Sequence, residues 1–176
     1  MKKTIVLIFV LASVGTIAKA QNGFNSNDKL LNVGVGLNSY YAGGTPVGAS
    51  LEVGVAQNLS LGVSFDYVGQ TYRESGYNDN RFSALYLGGR ASYHFNRLLE
   101  LNTNNVDLYG GVALGYRSFT WRDPYNRNDL GRDYNSGLYL GLYAGGKLYF
   151  TKKVSLFVEL GAGGSTNARI GLGFKL

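Results

Sequence analysis

Ten ionisable side chains lie on one parity of seven of the eight alternating segments in this 176-residue chain. They could form buried ion pairs or line a water-filled path. If successive segments run antiparallel, the ten fall into three layers: Asp107, Lys147, Lys175 and His94 at one end, Glu52, Arg90 and Glu159 in the middle, and Asp66, Arg117 and Arg169 at the other end. Opposite charges in a low-dielectric interior should pair, because an unpaired buried charge is unfavourable. A static network and one that opens to admit ions both fit this pattern.

Catalytic chemistry has few candidates. His94 is the only histidine and the chain has no cysteine, so a zinc site is not expected. No serine motif surrounds His94, which favours a structural, hydrogen-bonded role over a Ser–His–acid centre. The acids Asp123, Asp129 and Asp133 could approach calcium, but their spacing is not that of an EF-hand. We therefore predict no catalytic, cofactor-binding or metal-binding residue and no enzyme.

The elements that position the ten charges are stretches in which apolar residues alternate with small or polar ones. Val33, Val35 and Leu37, for example, alternate with glycine and asparagine. A period of two is typical of strands with one face against an apolar medium. We predict eight strands, at residues 29–41, 46–56, 59–69, 82–96, 105–120, 137–150, 153–163 and 166–176.

The outward, apolar sets of these strands contain no Asp, Glu, Lys or Arg. A charge on the lipid face of a barrel costs roughly 2–4 kcal/mol at the bilayer midplane, so this pattern favours a membrane protein. The predicted fold is all-β, an eight-stranded antiparallel up-and-down transmembrane β-barrel preceded by a cleaved signal peptide. The rival is a soluble barrel with its apolar face inward. Its exterior would need far more Lys and Glu than the other parity carries.

The N-terminus predicts export. Two lysines precede an apolar stretch at 4–17, and a small-x-small cleavage motif ends at Ala20. We expect residues 1–20 to be a signal peptide and residues 21–176 to be one outer-membrane β-barrel domain. Loss of the three lysines in the signal lowers the formal charge from +6 to +3, which argues against a nucleic-acid partner. Without cysteine, neither disulfides nor a lipid-modified N-terminal cysteine can form.

Connection lengths and aromatic residues predict the orientation. Short turns at 57–58 and 151–153 alternate with long polar connections at 70–81 and 121–136. Outer-membrane barrels keep short turns in the periplasm and long loops outside, so both termini should be periplasmic. Two girdles of aromatic residues flank the aliphatic part of the outward face, as expected at headgroup depth. They are Tyr67 and Tyr116 on the loop side, and Tyr93, Phe95, Phe150 and Phe174 on the turn side.

The two long connections are candidates for a binding surface, since Tyr, Trp and Arg bind with a modest loss of conformational entropy. Their acids and bases balance, two against two and three against three, so no electrostatic funnel for polyanions is expected. The alternative is that they only keep this end soluble and contact lipopolysaccharide sugars. The candidate residues are Tyr72, Arg73, Tyr77, Trp121, Arg122, Tyr125, Arg127 and Tyr134.

With these features the chain resembles the small eight-stranded outer-membrane proteins of the OmpX and OmpA transmembrane-domain type, including the outer-membrane β-barrel or porin-family proteins of Bacteroidetes-like bacteria. The resemblance covers residues 21–176 and includes the last strand, 168–176, which looks like the C-terminal signal read by the barrel-assembly machinery. The family usually ends in an aromatic residue, whereas this chain ends in Leu176 with Phe174 two residues before it. The resemblance implies outer-membrane lipid, lipopolysaccharide, the barrel-assembly machinery and periplasmic chaperones as partners, and no cofactor.

Together these features predict an integral protein of the cell outer membrane with a polar, plugged lumen. It would serve membrane structure and, through its extracellular loops, interaction with a surface partner. The alternative is a narrow, low-conductance pore for ions or small solutes. In the first case the ten charges are structural, and in the second they form a gate.

Overall fold

A computed structural model describes residues 23–41, 43–72, 80–101, 105–122 and 135–176. Its eight strands form one closed antiparallel barrel in which each strand pairs with the next and the last pairs with the first, which confirms the predicted fold class. The strands are β1 (Lys29–Gly36), β2 (Val47–Ala56), β3 (Leu59–Tyr72), β4 (Asn80–His94), β5 (Val106–Arg122), β6 (Gly137–Tyr149), β7 (Val154–Ala162) and β8 (Ala168–Lys175). The predicted signal peptide lies outside the described residues. Within those residues, no helix is long and apolar enough to cross a membrane.

All eight predicted strands are present, but several end elsewhere than expected at the end of the barrel that carries the long connections, which we term the loop end. β1 stops at Gly36, not at residue 41, because the chain there leaves the barrel wall and Tyr41 is buried in the interior. β3 is longer than predicted and β4 begins two residues earlier, because their pairing continues to Tyr72 and Asn80. β5 likewise extends to Arg122.

Side chains of the apolar parity point outward and are exposed, whereas those of the other parity point into the barrel. Leu87, Leu114, Leu140 and Leu160 each expose 60 to 63 % of their surface. The inward parity carries the buried charges described below. In transmembrane barrels, lipid covers an outward face of this composition.

Glycines allow long side chains to share a narrow interior. A Cβ atom at Gly145 would lie 2.8 Å from Tyr109 Cζ and 2.9 Å from Glu159 Cγ. At Gly171 it would lie 2.7 Å from Phe157 Cε1. Glycine on one strand therefore makes room for a large residue that reaches across from another, and side chains fill the eight-stranded interior.

The strands are unequal at the loop end. β2 pairs with β3 only as far as Val47 and Tyr67, so the remainder of β3 pairs with β4 alone. β7 pairs with β6 only as far as Ala162 and Leu142, so residues 137–141 pair with β5 alone. β3, β4, β5 and β6 consequently continue as a four-stranded sheet above the short β7–β8 connection. We term this extension the projecting sheet.

The assigned parity predicts which substitutions the barrel tolerates. Leu140→Arg and Val158→Arg place a charge on the outward face, where it costs roughly 2–4 kcal/mol at the bilayer midplane and less towards the interfaces, and we expect both to destabilise the membrane-folded barrel. Gly141→Ser points inward, where the nearest atom lies 3.5 Å from an added Cβ, and should fold like the wild type. The measurement is the fraction refolded in phospholipid vesicles, read from the shifted migration of unboiled samples on a gel. Equal yields for all three variants would contradict the parity.

Candidate functional site

One guanidinium joins two acids across the middle of the interior. Arg90 Nε lies 3.0 Å from Glu52 Oε1, and Arg90 Nη2 lies 2.7 Å from Glu159 Oε1. The three residues belong to β4, β2 and β7, which are not neighbours in the barrel, so these ion pairs cross the lumen. All three side chains are buried. The structure thus brings together the middle layer of charges, which we term the Arg90 bridge.

Neutral donors complete the hydrogen bonding of the two carboxylates. Glu52 Oε2 accepts hydrogen bonds from Ser60 Oγ at 2.9 Å and from Ser92 Oγ at 2.5 Å. Glu159 Oε1 accepts a further bond from the Tyr109 hydroxyl at 3.0 Å. Such bonds offset part of the desolvation penalty of a buried ion pair. The Arg90 bridge is therefore a filled, hydrogen-bonded layer.

A tyrosine covers the guanidinium of this layer. Arg90 Cζ lies 4.1 Å from the centre of the Tyr143 ring, in cation–π geometry. The Tyr143 hydroxyl donates to the Ala91 carbonyl at 3.0 Å, which fixes the ring of this β6 residue against β4, two strands away. Gly111 provides the space, because a Cβ there would lie 2.5 Å from the Tyr143 hydroxyl.

Both ring nitrogens of His94 form hydrogen bonds at the end of the barrel that carries the short turns, which we term the turn end. The Asp107 carboxylate accepts from Nδ1 at 2.9 and 3.0 Å, and Ser60 Oγ lies 3.1 Å from Nε2. The order Asp107–His94–Ser60 is that of a hydrolase triad. Ser60, however, is fully buried, and its hydroxyl donates to Glu52. The Ser60 proton is thus directed away from His94, and this chain of hydrogen bonds links the turn end to the Arg90 bridge.

Residues 23–28 lie across the turn end, a feature that the sequence analysis missed. The Phe24 ring stacks on His94 with centroids 3.6 Å apart and planes 2° from parallel. Lys175 Nζ lies 2.8 Å from Asp28 Oδ2, so this lysine pairs with an acid just before β1. The one signal in the sequence is Phe24, an aromatic residue within a polar stretch.

Lys147 completes the turn-end layer. It is buried and lies in register with Asp107 on the neighbouring strand. Its Nζ is 5.0 Å from the centre of the Tyr109 ring. Lys147 therefore lies between the acid that holds His94 and the tyrosine that bonds to the Arg90 bridge.

The loop-end layer contains one ion pair. Arg169 Nη2 lies 2.7 Å from Asp66 Oδ1, and Ser165 Oγ donates to Asp66 Oδ2 at 2.9 Å. Arg117 does not join them, since its Nε and Nη2 donate to the Asn135 carbonyl at 3.0 and 2.5 Å. Between this pair and the Arg90 bridge is a cavity of about 70 Å³, which has room for a few water molecules.

An aromatic cluster lies above the loop-end pair. Tyr41 enters it from the β1–β2 connection, and its hydroxyl lies 2.7 Å from that of Tyr86. The Tyr41 ring centre is 5.2 Å from that of Phe82 and 5.6 Å from that of Phe119. Burial raises the pKa of the Tyr41 phenol, and the bond to Tyr86 adds to the shift. The Tyr41 phenol therefore remains neutral at physiological pH.

Only three of the eight candidate loop residues are among the described residues. Tyr72 and Trp121 pack against the aromatic cluster, with ring centres 6.5 Å apart, while Arg122 is exposed at the end of β5. The described residues contain no group of His, Asp and Glu that could hold a metal ion. The other candidates, and the three acids considered for calcium, lie outside the described residues: Arg73, Tyr77, Tyr125, Arg127, Tyr134, Asp123, Asp129 and Asp133.

Comparison with known proteins identifies the fold. No protein-family model and no curated protein sequence matches the chain. Among solved structures it is similar to a de novo designed transmembrane β-barrel (TM-score 0.56, 17% identity), with 87% of this chain and 98% of that chain covered.

Two natural barrels are similar as well. The N-terminal β-barrel domain of Pseudomonas aeruginosa OprF has a TM-score of 0.52 and 15% identity, with 87% of this chain and 100% of that chain covered. The attachment invasion locus protein Ail of Yersinia pestis has a TM-score of 0.51 and 11% identity, with 86% and 96% covered. The chain thus has the fold of the small eight-stranded transmembrane barrels, in agreement with its resemblance to the OmpA and OmpX type.

Proposed function

We propose that this protein is an integral outer-membrane barrel with a plugged lumen, which serves membrane structure and presents its projecting sheet to a partner at the cell surface. The Arg90 bridge carries this proposal. Three buried side chains from separate walls meet there in the middle of the interior. A lumen occupied in this way favours a scaffold over a conduit.

The outward face supports the membrane location. Its leucines, valines and aromatic rings are exposed around the barrel, and soluble proteins rarely expose a continuous apolar surface of this extent. A bilayer covers such a face, and lipid and lipopolysaccharide are then its permanent neighbours. The barrel-assembly machinery and periplasmic chaperones are the partners proposed for its biogenesis.

Two further groups of side chains support the proposal that the lumen is plugged. At the loop end, the aromatic cluster lies across the lumen, and at the turn end Phe24 covers the His94 ring. A pore, the alternative function, would require Arg90 to leave both acids. Because separating a buried ion pair leaves uncompensated charge, such opening is strongly unfavourable.

The arrangement of Ser60, His94 and Asp107 supports the proposal that the protein has no enzymatic activity. Hydrolysis by a serine centre needs a nucleophile whose proton passes to the histidine and whose oxygen reaches a substrate. The Ser60 hydroxyl instead donates to Glu52, and Ser60 has no exposed surface. We propose that the three residues Ser60, His94 and Asp107 hold strands together.

The projecting sheet is the surface that we propose for a protein partner. The outward aromatic residues Tyr67 and Tyr116 are placed at the membrane interface, and β3, β4 and β5 continue beyond them. This part of the sheet therefore extends above the bilayer, where it is accessible to a partner at the cell surface. The long connections at the same end would add side-chain contacts.

The proposed orientation can be tested with single cysteines, because the natural chain has none. Thr120→Cys lies on the projecting sheet and Lys152→Cys on the β6–β7 turn, both at exposed positions. On intact cells, a membrane-impermeant maleimide should label the first variant only. Permeabilised outer membranes should allow labelling of both. Labelling of Lys152→Cys alone on intact cells would reverse the orientation, and labelling of neither after permeabilisation would refute the location.

The contribution of the Arg90 bridge to stability can be measured by removing its guanidinium group. Arg90→Ala leaves two acids buried without a partner, and we expect the free energy of unfolding to fall by about 3–5 kcal/mol. Arg97→Ala, the same change at an exposed position of the β4–β5 turn, should shift it by less than about 0.5 kcal/mol. Denaturant titration in lipid vesicles, followed by the fluorescence of Trp121, provides the comparison. Equal midpoints would show that the bridge does not support the barrel.

A further inference from the structure

Two arginines face each other on the outer side of the projecting sheet. Arg81 on β4 is in register with Arg122 on β5, and both are exposed. They belong to the outward parity, in line with Leu85 and Tyr116 below them. Like charges directly opposite each other on neighbouring strands destabilise a sheet. A bound anion would remove this repulsion.

The surroundings of the pair are those of an anion site. Arg81 Nε donates to Thr71 Oγ1 at 3.2 Å, which orients the guanidinium. Thr120 lines the same open groove and adds a hydroxyl group. Among the residues that the structure describes, neither arginine has a carboxylate within ion-pair distance. Two guanidinium groups and the Thr120 hydroxyl thus border one groove, with no carboxylate from the described residues.

The height of the pair on the barrel indicates the source of the anion. Tyr67 is the outward aromatic residue that we place at the membrane interface, and Thr71 follows it by four residues on β3. Four residues of a strand tilted by about 40° rise roughly 10 Å along the barrel axis. Arg81, in register with Thr71, therefore lies above the hydrocarbon boundary, at the outer side of the headgroup layer around the loop end, and its long side chain can reach the headgroups.

We propose that Arg81 and Arg122 bind the phosphate of a phosphorylated lipid headgroup in the outer leaflet. Guanidinium groups match phosphate oxygens in bidentate geometry, which an ammonium group does not. The apolar surface at Leu85 and Tyr116 would contact the acyl chain of the same lipid, so the ligand is an amphiphile. The proposal rests on the membrane location proposed above. The charge balance of the long connections remains compatible with it, because the two arginines act at contact distance and not by long-range steering.

The test uses the natural fluorescence of Trp121, the only tryptophan, which lines the same groove. The purified chain is refolded in zwitterionic detergent micelles and titrated with a bisphosphorylated lipid A, with the same lipid after removal of its phosphates, and with inorganic phosphate. We expect the phosphorylated lipid to bind about tenfold or more tightly than the dephosphorylated one, as for one or more charge-assisted hydrogen bonds. Inorganic phosphate at equal concentration should give no saturable change.

Matched double variants separate the site from general charge. Arg81→Gln with Arg122→Gln should abolish the preference for the phosphorylated lipid. Lys152→Gln with Lys153→Gln removes the same charge at the turn end and should retain it. Retention of the preference in the arginine variant would overturn the site, and saturation by inorganic phosphate would overturn the lipid as its ligand. Shifted migration of unboiled samples confirms that each variant is folded, and cysteine labelling on cells tests the membrane location independently.

Discussion

The ion pairs of Arg90 with Glu52 and Glu159 impose the main constraint on this barrel. A guanidinium buried in a narrow interior must find its acids on distant strands, so β2, β4 and β7 are fixed relative to one another. Serine and tyrosine hydroxyls supply the remaining hydrogen bonds, and glycines such as Gly111 provide the space. The interior is therefore one connected structure, in which removal of a single charged group leaves its partners buried without an opposite charge.

The other layers extend this constraint to both ends. Ser60 donates to Glu52 and contacts His94, which binds Asp107 and lies beneath the Phe24 ring. Towards the loops, a small cavity separates the bridge from the Asp66–Arg169 pair and the aromatic cluster. In the proposed plugged barrel, the surfaces left for interaction are the outward face and the projecting sheet.

The alternation of residues was enough to predict eight strands and the parity of each, because both are local properties of a strand. Contacts that depend on the shape of the chain between strands were not predictable. The return of Tyr41 into the barrel, the approach of Ser60 to His94 and the stacking of Phe24 join residues that share no motif. Arg117 was expected near Asp66. It donates instead to the Asn135 carbonyl, because β5 and β6 continue beyond β7 at the loop end and place Asn135 beside the projecting sheet.

A plugged lumen and a narrow pore differ most directly in their conductance. The measurement is the current through the wild-type chain reconstituted in a planar bilayer, with folding confirmed by the migration of unboiled samples. A lumen closed by the Arg90 bridge predicts a silent membrane at moderate voltage. Discrete, reproducible openings would contradict this account and would make the luminal charges a gate.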